Sequence, residues 1–211
     1  MKKSKFIVLE GLDCSGKTTI CQILKLLLHN MGIKKILTVR EPGSTKIAEK
    51  IRNIIKYPNS NEIIHKKTNL LLIYAARIQL IENIIRPSLK KNIWIISDRY
   101  DLSSYAYQGG GFKIKKNIIQ KLQQMTLKPL IPDLTIYLDV LPKNSIQRSI
   151  MRNKEDKIEK NSLNFFNRTR NIYLKLIAQN YHSIKIDANL KSNIVQNDVI
   201  NKFKKWFQYV Y

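Results

Sequence analysis

The sequence predicts a three-layer α/β domain, a five-stranded parallel sheet flanked by helices. Short apolar, β-branched runs alternate with longer segments of helical periodicity, the pattern of parallel strands joined by crossover helices. The strand runs are nearly continuous rather than alternating, as in strands buried on both faces. A glycine-rich loop also joins the first run to the first helical segment.

In chain order, the strands are expected at residues 5–10, 35–39, 93–97, 134–139 and 183–187. The first helix should run from about Lys17 to Asn30 and stop at Met31-Gly32, because glycine readily takes the left-handed conformation that ends helices. Ile47, Ile51, Ile54 and Ile55 have helical spacing and mark a second helix. A third is expected over 70–85, stopped near Arg86 by Pro87. Further helices fit 102–108, 114–125, 143–152, 162–179 and 194–209, and the polar stretches 58–67 and 153–161 read as loops. The absence of repeats or Pro- or Ser-rich linkers predicts one domain over residues 1–211.

Composition narrows the partners. Hydrophobic residues make up 44% of the chain, enough for a sizeable core. No apolar stretch approaches the ~18 residues of a membrane helix. The charged, then apolar N-terminus resembles a signal peptide, but the run from Phe6 to Leu9 is short and leads into glycine, so a cytoplasmic location is expected. Cys14 and Cys21 are the only cysteines, too few for a zinc site or a disulfide framework. The net charge of +23 is spread along the chain among Ile and Asn. It should attract anionic nucleotides rather than mark dedicated nucleic-acid binding.

Gly11-Leu12-Asp13-Cys14-Ser15-Gly16-Lys17-Thr18 is an uninterrupted match to G-x-x-x-x-G-K-[ST], the phosphate-binding P-loop, with a strand before it and a helix after it. Its backbone N–H groups and the helix N-terminus would cradle phosphates. Lys17 would reach the β- and γ-phosphates of ATP, and the Thr18 hydroxyl would hold Mg²⁺. Asp98 closes the third strand, where carboxyl ends meet the ligand crevice, and would share that metal. The adjoining Arg99 would bind a second phosphate group. A GTP-specific protein is expected to carry a guanine-reading Asn-Lys-x-Asp segment late in the chain, and the kinase reading takes none to be present. A small P-loop chain with a second arginine site fits a nucleoside monophosphate kinase.

At these residues the chain resembles the bacterial thymidylate kinases. The resemblance is carried by Phe6-Ile-Val-Leu-Glu-Gly-Leu-Asp-Cys-Ser-Gly-Lys-Thr-Thr, Arg40-Glu-Pro-Gly, Tyr74-Ala-Ala-Arg-Ile-Gln and Asp98-Arg-Tyr-Asp-Leu-Ser-Ser-Tyr-Ala-Tyr-Gln-Gly-Gly-Gly. It continues through Pro132-Asp-Leu-Thr-Ile-Tyr-Leu-Asp, Asp156-Lys-Ile-Glu and Phe165-Phe-Asn-Arg-Thr-Arg. It implies transfer of the γ-phosphoryl group of ATP·Mg²⁺ to dTMP, serving dTTP synthesis, by a homodimer.

The resemblance also implies site roles. Asp13 would approach the sugar 3′-hydroxyl, Arg77 would donate to thymine O4, and Gln108 would line the thymine pocket. Arg99 and Arg52 would belong to the dTMP site, with Arg99 on the acceptor phosphate, and Glu41 and Ser104 would fall in the same pocket. Tyr107 would lie beneath the sugar 2′ position, and Ile73 stands where relatives place a phenylalanine on the base. A lid is implied at about 150–161. Because Cys14 occupies the P-loop position that can carry an arginine, the lid would supply the catalytic arginine, Arg152, with Arg148 near the adenine or phosphates. Ile150 and Lys157 stand where relatives of this type carry arginine.

Overall fold

The computed structural model describes residues 3–57, 63–127, 130–152 and 161–210. Five parallel strands form one sheet: β1 (Phe6–Gly11), β2 (Ile36–Arg40), β3 (Trp94–Asp98), β4 (Leu134–Asp139) and β5 (Ser183–Asp187). Their order is β2-β3-β1-β4-β5. Every crossover is helical, so helices cover both faces, as the alternating sequence pattern anticipated. The register sets Leu9 opposite Asp98 and Gly11 opposite Leu138. This brings the carboxyl ends of β1, β3 and β4 to one rim.

Burial follows strand position. β1 and β4 are buried at every residue, but β2 and β5 are partly exposed along their lengths. The expectation that each run is buried on both faces is corrected for these two. They are the edges of the sheet, with one neighbour each, and strand order is not visible in a single run.

On one face, Ile7, Leu9 and Ile136 pack with Leu24 of α1 (Lys17–Asn30), Tyr173 of α8 (Leu163–Ala178) and Phe203 of α9 (Ser192–Val210). On the other, Phe6, Val8 and Ile95 meet Leu80, Ile81 and Ile85. Burying each such side chain contributes roughly 1.5–3 kcal/mol, which holds the rim in place.

Three helical expectations change. The third helix starts earlier, as α3 (Lys66–Leu80), and does not stop before Pro87. It continues through a π-helical segment, Ile81–Ile85, into α4 (Arg86–Lys90), with Pro87 in the first turn. The Arg86 N–H bonds to Ile81 O, five residues back. That wider turn makes room for the proline ring, which would otherwise clash with the preceding turn. The start at Lys66 also takes the end of the stretch read as loop at 58–67, whose residues 58–62 lie outside the described residues.

The helix expected at 102–108 is instead α5 (Asp101–Ser103) running into a π-helical segment, Ser104–Gly111. Its glycine end packs directly on α8. A Cβ on Gly111 would lie 2.4 Å from the Phe165 ring, so only glycine allows this approach. The remaining helices, α2 (Lys46–Lys56), α6 (Lys116–Leu127) and α7 (Pro142–Met151), lie within two residues of the expected spans where spans were given. Among the described residues, no helix is long and apolar enough to cross a membrane.

Candidate active site

β1 ends where α1 has yet to begin, and the loop between them wraps around the Lys17 ammonium. Lys17 Nζ donates to Leu12 O at 2.7 Å and lies 3.4 Å from Gly11 O and Ser15 Oγ. Burial, then the charge of Arg99, lowers its pKa, while Asp98, Asp13 and Glu10 oppose the shift. At Gly11 a Cβ would sit 2.6 Å from Leu138 O, so the loop reaches β4 only with glycine there. Leu12 faces the core with no exposure, so its contribution to the loop is its carbonyl. Ser145 of α7 donates to Asp13 O at 2.7 Å, which ties the loop to the lid-side helix.

Thr18 Oγ1 donates to Asp98 Oδ2 at 3.2 Å, bringing together the two residues predicted to hold the metal. The other acid at this rim, Asp139, is committed to Arg170 at 2.7 and 3.0 Å. Thr18 and Asp98 form a hard, all-oxygen set that suits Mg²⁺, which is usually held by one or two protein oxygens plus phosphates and water. Cys14 and Cys21 form no disulfide among the described residues, and burial pushes the Cys21 thiol up.

Arg99 is the junction of the site. Its Nη2 donates to Asp13 Oδ1 at 2.7 Å and to Tyr107 Oη at 3.1 Å. Its Nη1 donates to Gly11 O at 2.7 Å and to the Ser103 and Tyr173 hydroxyls at 3.2 Å. The Tyr107 hydroxyl donates to Asp13 Oδ2 at 2.8 Å, and its ring centroid lies 4.9 Å from the guanidinium carbon. Burial alone would raise the Asp13 pKa. The charges of Arg99 and Lys17 and the hydrogen bonds from Tyr107 and Arg99 outweigh it, so the carboxyl stays well below the usual range.

A cleft of about 1080 Å³ opens over the P-loop, lined by Lys17, Thr18, Asp98 and Arg99 and, from other elements, by Arg52, Arg148 and Arg152. A narrower inner pocket of about 90 Å³ joins it. Asp13, Glu41, Arg52, Ile73, Arg77, Arg99, Ser104, Tyr107 and Gln108 line it, so every residue expected at the acceptor site is brought together. Arg52 donates to Pro42 O at 2.7 Å from α2. The Gln108 amide donates to Asn69 Oδ1 at 3.1 Å. Ile73 lines the wall and is 8% exposed.

Arg77, on α3, is almost wholly buried. Its Nε pairs with Glu41, Nη1 with Asp101 at 3.0 Å, and Nη2 with Tyr100 O at 3.2 Å and Ser104 Oγ at 2.8 Å. Its ring neighbour Tyr74 donates to the same Asp101 at 2.9 Å. Both members of this ion pair shift upward. Burial is outweighed for Arg77 by Glu41 and Asp101, so Arg77 holds its proton more tightly. Burial raises Glu41 to about 7 in spite of Arg77.

Two carboxylates against one guanidinium leave excess negative charge, and among the described residues Glu41 Oε2 has no partner. That orphan oxygen favours the protonated form. Because the folded pKa lies above the ordinary 4.5, Glu41 stabilises the fold fully below that value and loses this contribution as pH rises through about 7. Glu41→Gln should therefore lack a pH-dependent loss on the order of 1–3 kcal/mol. Thermal unfolding of both proteins from about pH 5 to about pH 8 checks this, and parallel curves would contradict it.

Glu10, Asn69, Asp101, Ser103 and Tyr173 belong to this constellation and were not singled out as site residues. Glu10 carried a usable signal, a carboxylate inside an otherwise apolar strand. The lid is divided. Arg148 donates to Ala188 O at 3.0 Å and reaches Cys14 O at 3.5 Å, which anchors it beside the P-loop. Arg152 lies on the cleft at the end of α7, while Ile150 is exposed. Lys157 and the Asp156-Lys-Ile-Glu segment lie outside the described residues. So does Asn153-Lys154-Glu155-Asp156, which corrects the expectation that no Asn-Lys-x-Asp is present; it follows α7 in sequence rather than a strand.

A P-loop at the rim of a parallel sheet, facing a second arginine-lined pocket, defines a nucleotide kinase of the P-loop class. The family model "Thymidylate kinase" matches residues 9–199. A thymidylate kinase of Buchnera aphidicola subsp. Schizaphis graminum is 52% identical over 99% of this chain and 98% of its own. One from Vibrio vulnificus is 41% identical over the same shares. The crystal structure of thymidylate kinase from Ehrlichia chaffeensis superimposes with a TM-score of 0.76, at 28% identity, covering 95% of this chain and 99% of that one. The chain belongs to the thymidylate kinase family.

Proposed function

We infer that this chain transfers the γ-phosphoryl group of ATP to dTMP, giving dTDP and ADP. The observation that carries the reading is the Asp13–Arg99 pair at 2.7 Å, which joins the P-loop to the inner arginine pocket. A donor phosphate on the loop and an acceptor phosphate at Arg99 would then be neighbours, and proximity of this kind supplies much of the rate of a phosphoryl transfer.

In this reading the P-loop amides and Lys17 hold the donor phosphates. Thr18 and Asp98 hold Mg²⁺, which neutralises developing charge when bound. Arg99 and Arg52 take the acceptor phosphate. Arg77, Ser104 and Gln108 read the base, Asp13 meets the sugar, and the Tyr107 ring fills the space a 2′-hydroxyl would need. Lid closure brings Arg152 to the migrating group and excludes water. Transfer is direct and in line, with no covalent enzyme intermediate. The remaining expectations, a cytoplasmic homodimer acting in dTTP synthesis without dedicated nucleic-acid binding, rest on composition and resemblance.

The test is acceptor choice. With ATP and Mg²⁺, ADP release should be fastest with dTMP and much slower with dUMP and dCMP. Equal rates for all three would sink the thymine assignment.

Ile73 makes a quantitative prediction. An aliphatic side chain covers a base face but forgoes aromatic stacking, worth about 1–3 kcal/mol per base. Ile73→Phe should lower the KM for dTMP with little change in kcat, and an unchanged or higher KM would count against a base at this wall.

A further inference from the structure

We infer that Glu10, Ser103 and Tyr173 form a positioning relay that fixes the Arg99 guanidinium for the acceptor phosphate. This inference rests on the reading of Arg99 above. Ser103 lines the inner pocket, while Glu10 and Tyr173 stand behind it, and each of the three is bonded to Arg99 or to a group that touches it.

Glu10 sits within β1 and has no exposure. Burial raises its pKa, against hydrogen bonds from Ser103, Tyr173 and Tyr100 and the charge of Arg99. A buried carboxylate is costly unless its lone pairs are used, and here all are. Oε1 accepts the N–H groups of Tyr100 and Ser103 at 3.0 and 3.2 Å. Oε2 accepts the hydroxyls of Ser103 and Tyr173 at 2.6 and 2.9 Å. Those hydroxyls lie 2.8 Å apart, and each lies 3.2 Å from Arg99 Nη1.

The proton directions then run from Arg99 toward Glu10. Arginine only donates and a carboxylate only accepts, so both hydroxyls accept from Arg99, and their protons go to Glu10 or, for one of them, to the neighbouring hydroxyl. Chains with one direction polarise each other and hold a single geometry. The backbone is held as well. Arg99 has φ 76°, unusual for a non-glycine residue, with its N–H on Leu9 O at 2.9 Å and its carbonyl accepting from Ser97 Oγ at 2.7 Å. Strain of this kind persists only where the surroundings over-determine it. The relay ties the tip of Arg99 to the strand that leads into the P-loop.

Glu10→Gln is nearly isosteric but places an N–H donor where the carboxylate accepts from its neighbours. It should lower kcat/KM for dTMP by about 10- to 100-fold, the range for hydrogen bonds to charged groups, with the KM for ATP within about twofold. Tyr173→Phe should act in the same sense. Combining the two should cost less than the product of the single losses, because both break one chain. Additive losses, or a parallel rise in the KM for ATP, would overturn the relay.

Melting temperatures and ATP binding of each variant separate misfolding from mispositioning, and Ser103→Ala with Tyr173→Phe carries the same cycle if Glu10→Gln does not fold. Arg99→Ala keeps the two ideas apart. Full activity in Arg99→Ala refutes the reading of Arg99. A collapse in Arg99→Ala with normal Glu10→Gln and Tyr173→Phe enzymes refutes the relay alone.

Discussion

Arg99→Ala is expected to lower kcat/KM for dTMP by about a thousandfold, in the range seen when a charge-stabilising donor is removed from a reaction centre. Arg99 contacts Asp13, Tyr107, Gly11, Ser103 and Tyr173 through Nη1 and Nη2, and among the described residues its Nε donates to none of them. That N–H is the donor left for an incoming phosphate, with the guanidinium charge behind it. The substitution also strips Asp13 of its ion-pair partner, and breaking a well-buried pair costs about 3–5 kcal/mol. The Asp13 side chain is 27% exposed, so the lower part of that range or less applies. Arg99→Lys keeps the charge without the fork and should recover folding more than turnover. Initial rates across dTMP concentrations, with a melting curve for each protein, check both parts. A kcat/KM within tenfold of the parent would refute the role.

Arg152→Ala is expected to lower kcat by about a hundred- to a thousandfold or more, because an arginine brought to the transferring phosphoryl group is worth ~10³–10⁵ in comparable enzymes. Arg148 and Arg152 both line the cleft, Arg152 exposed where α7 ends. An exposed residue seldom contributes much to stability, so the melting temperature should hardly move. Single-turnover kinetics with saturating ATP and dTMP isolates the step. Near-normal turnover would transfer the role to Arg148 or a lysine.

What could be read beforehand was what local sequence controls. The P-loop needs glycine at Gly11, lysine and a hydroxyl in consecutive places, so its boundaries were legible, as were β4 and β5 to the residue. What could not be read depends on distant partners. The π-helical course of Ser104–Gly111 is set partly by the Phe165 ring against Gly111, from a helix more than fifty residues away in sequence. Exposure of β2 and β5 follows from their places at the sheet edges. Pro87 looked like a stop because the wide turn that admits it cannot be seen in its neighbours.

The site shows the same division. The residues that line the inner pocket were named through resemblance, one by one, but their wiring was not legible. That Arg77 is shared between Glu41 and Asp101, and that Glu10 lies behind Arg99, are consequences of strand register and burial. Asp139 closes β4 as Asp98 closes β3, and its pairing with Arg170 at 2.7 Å is what distinguishes the two.

The central claim is that a phosphate oxygen, not a sugar hydroxyl, receives the phosphoryl group. Product chromatography after incubation with ATP, Mg²⁺ and either dTMP or thymidine tests it most directly. The account predicts dTDP from dTMP, one for each ADP formed, and no phosphorylated product from thymidine. Conversion of thymidine to dTMP, with dTMP itself inert, would contradict it.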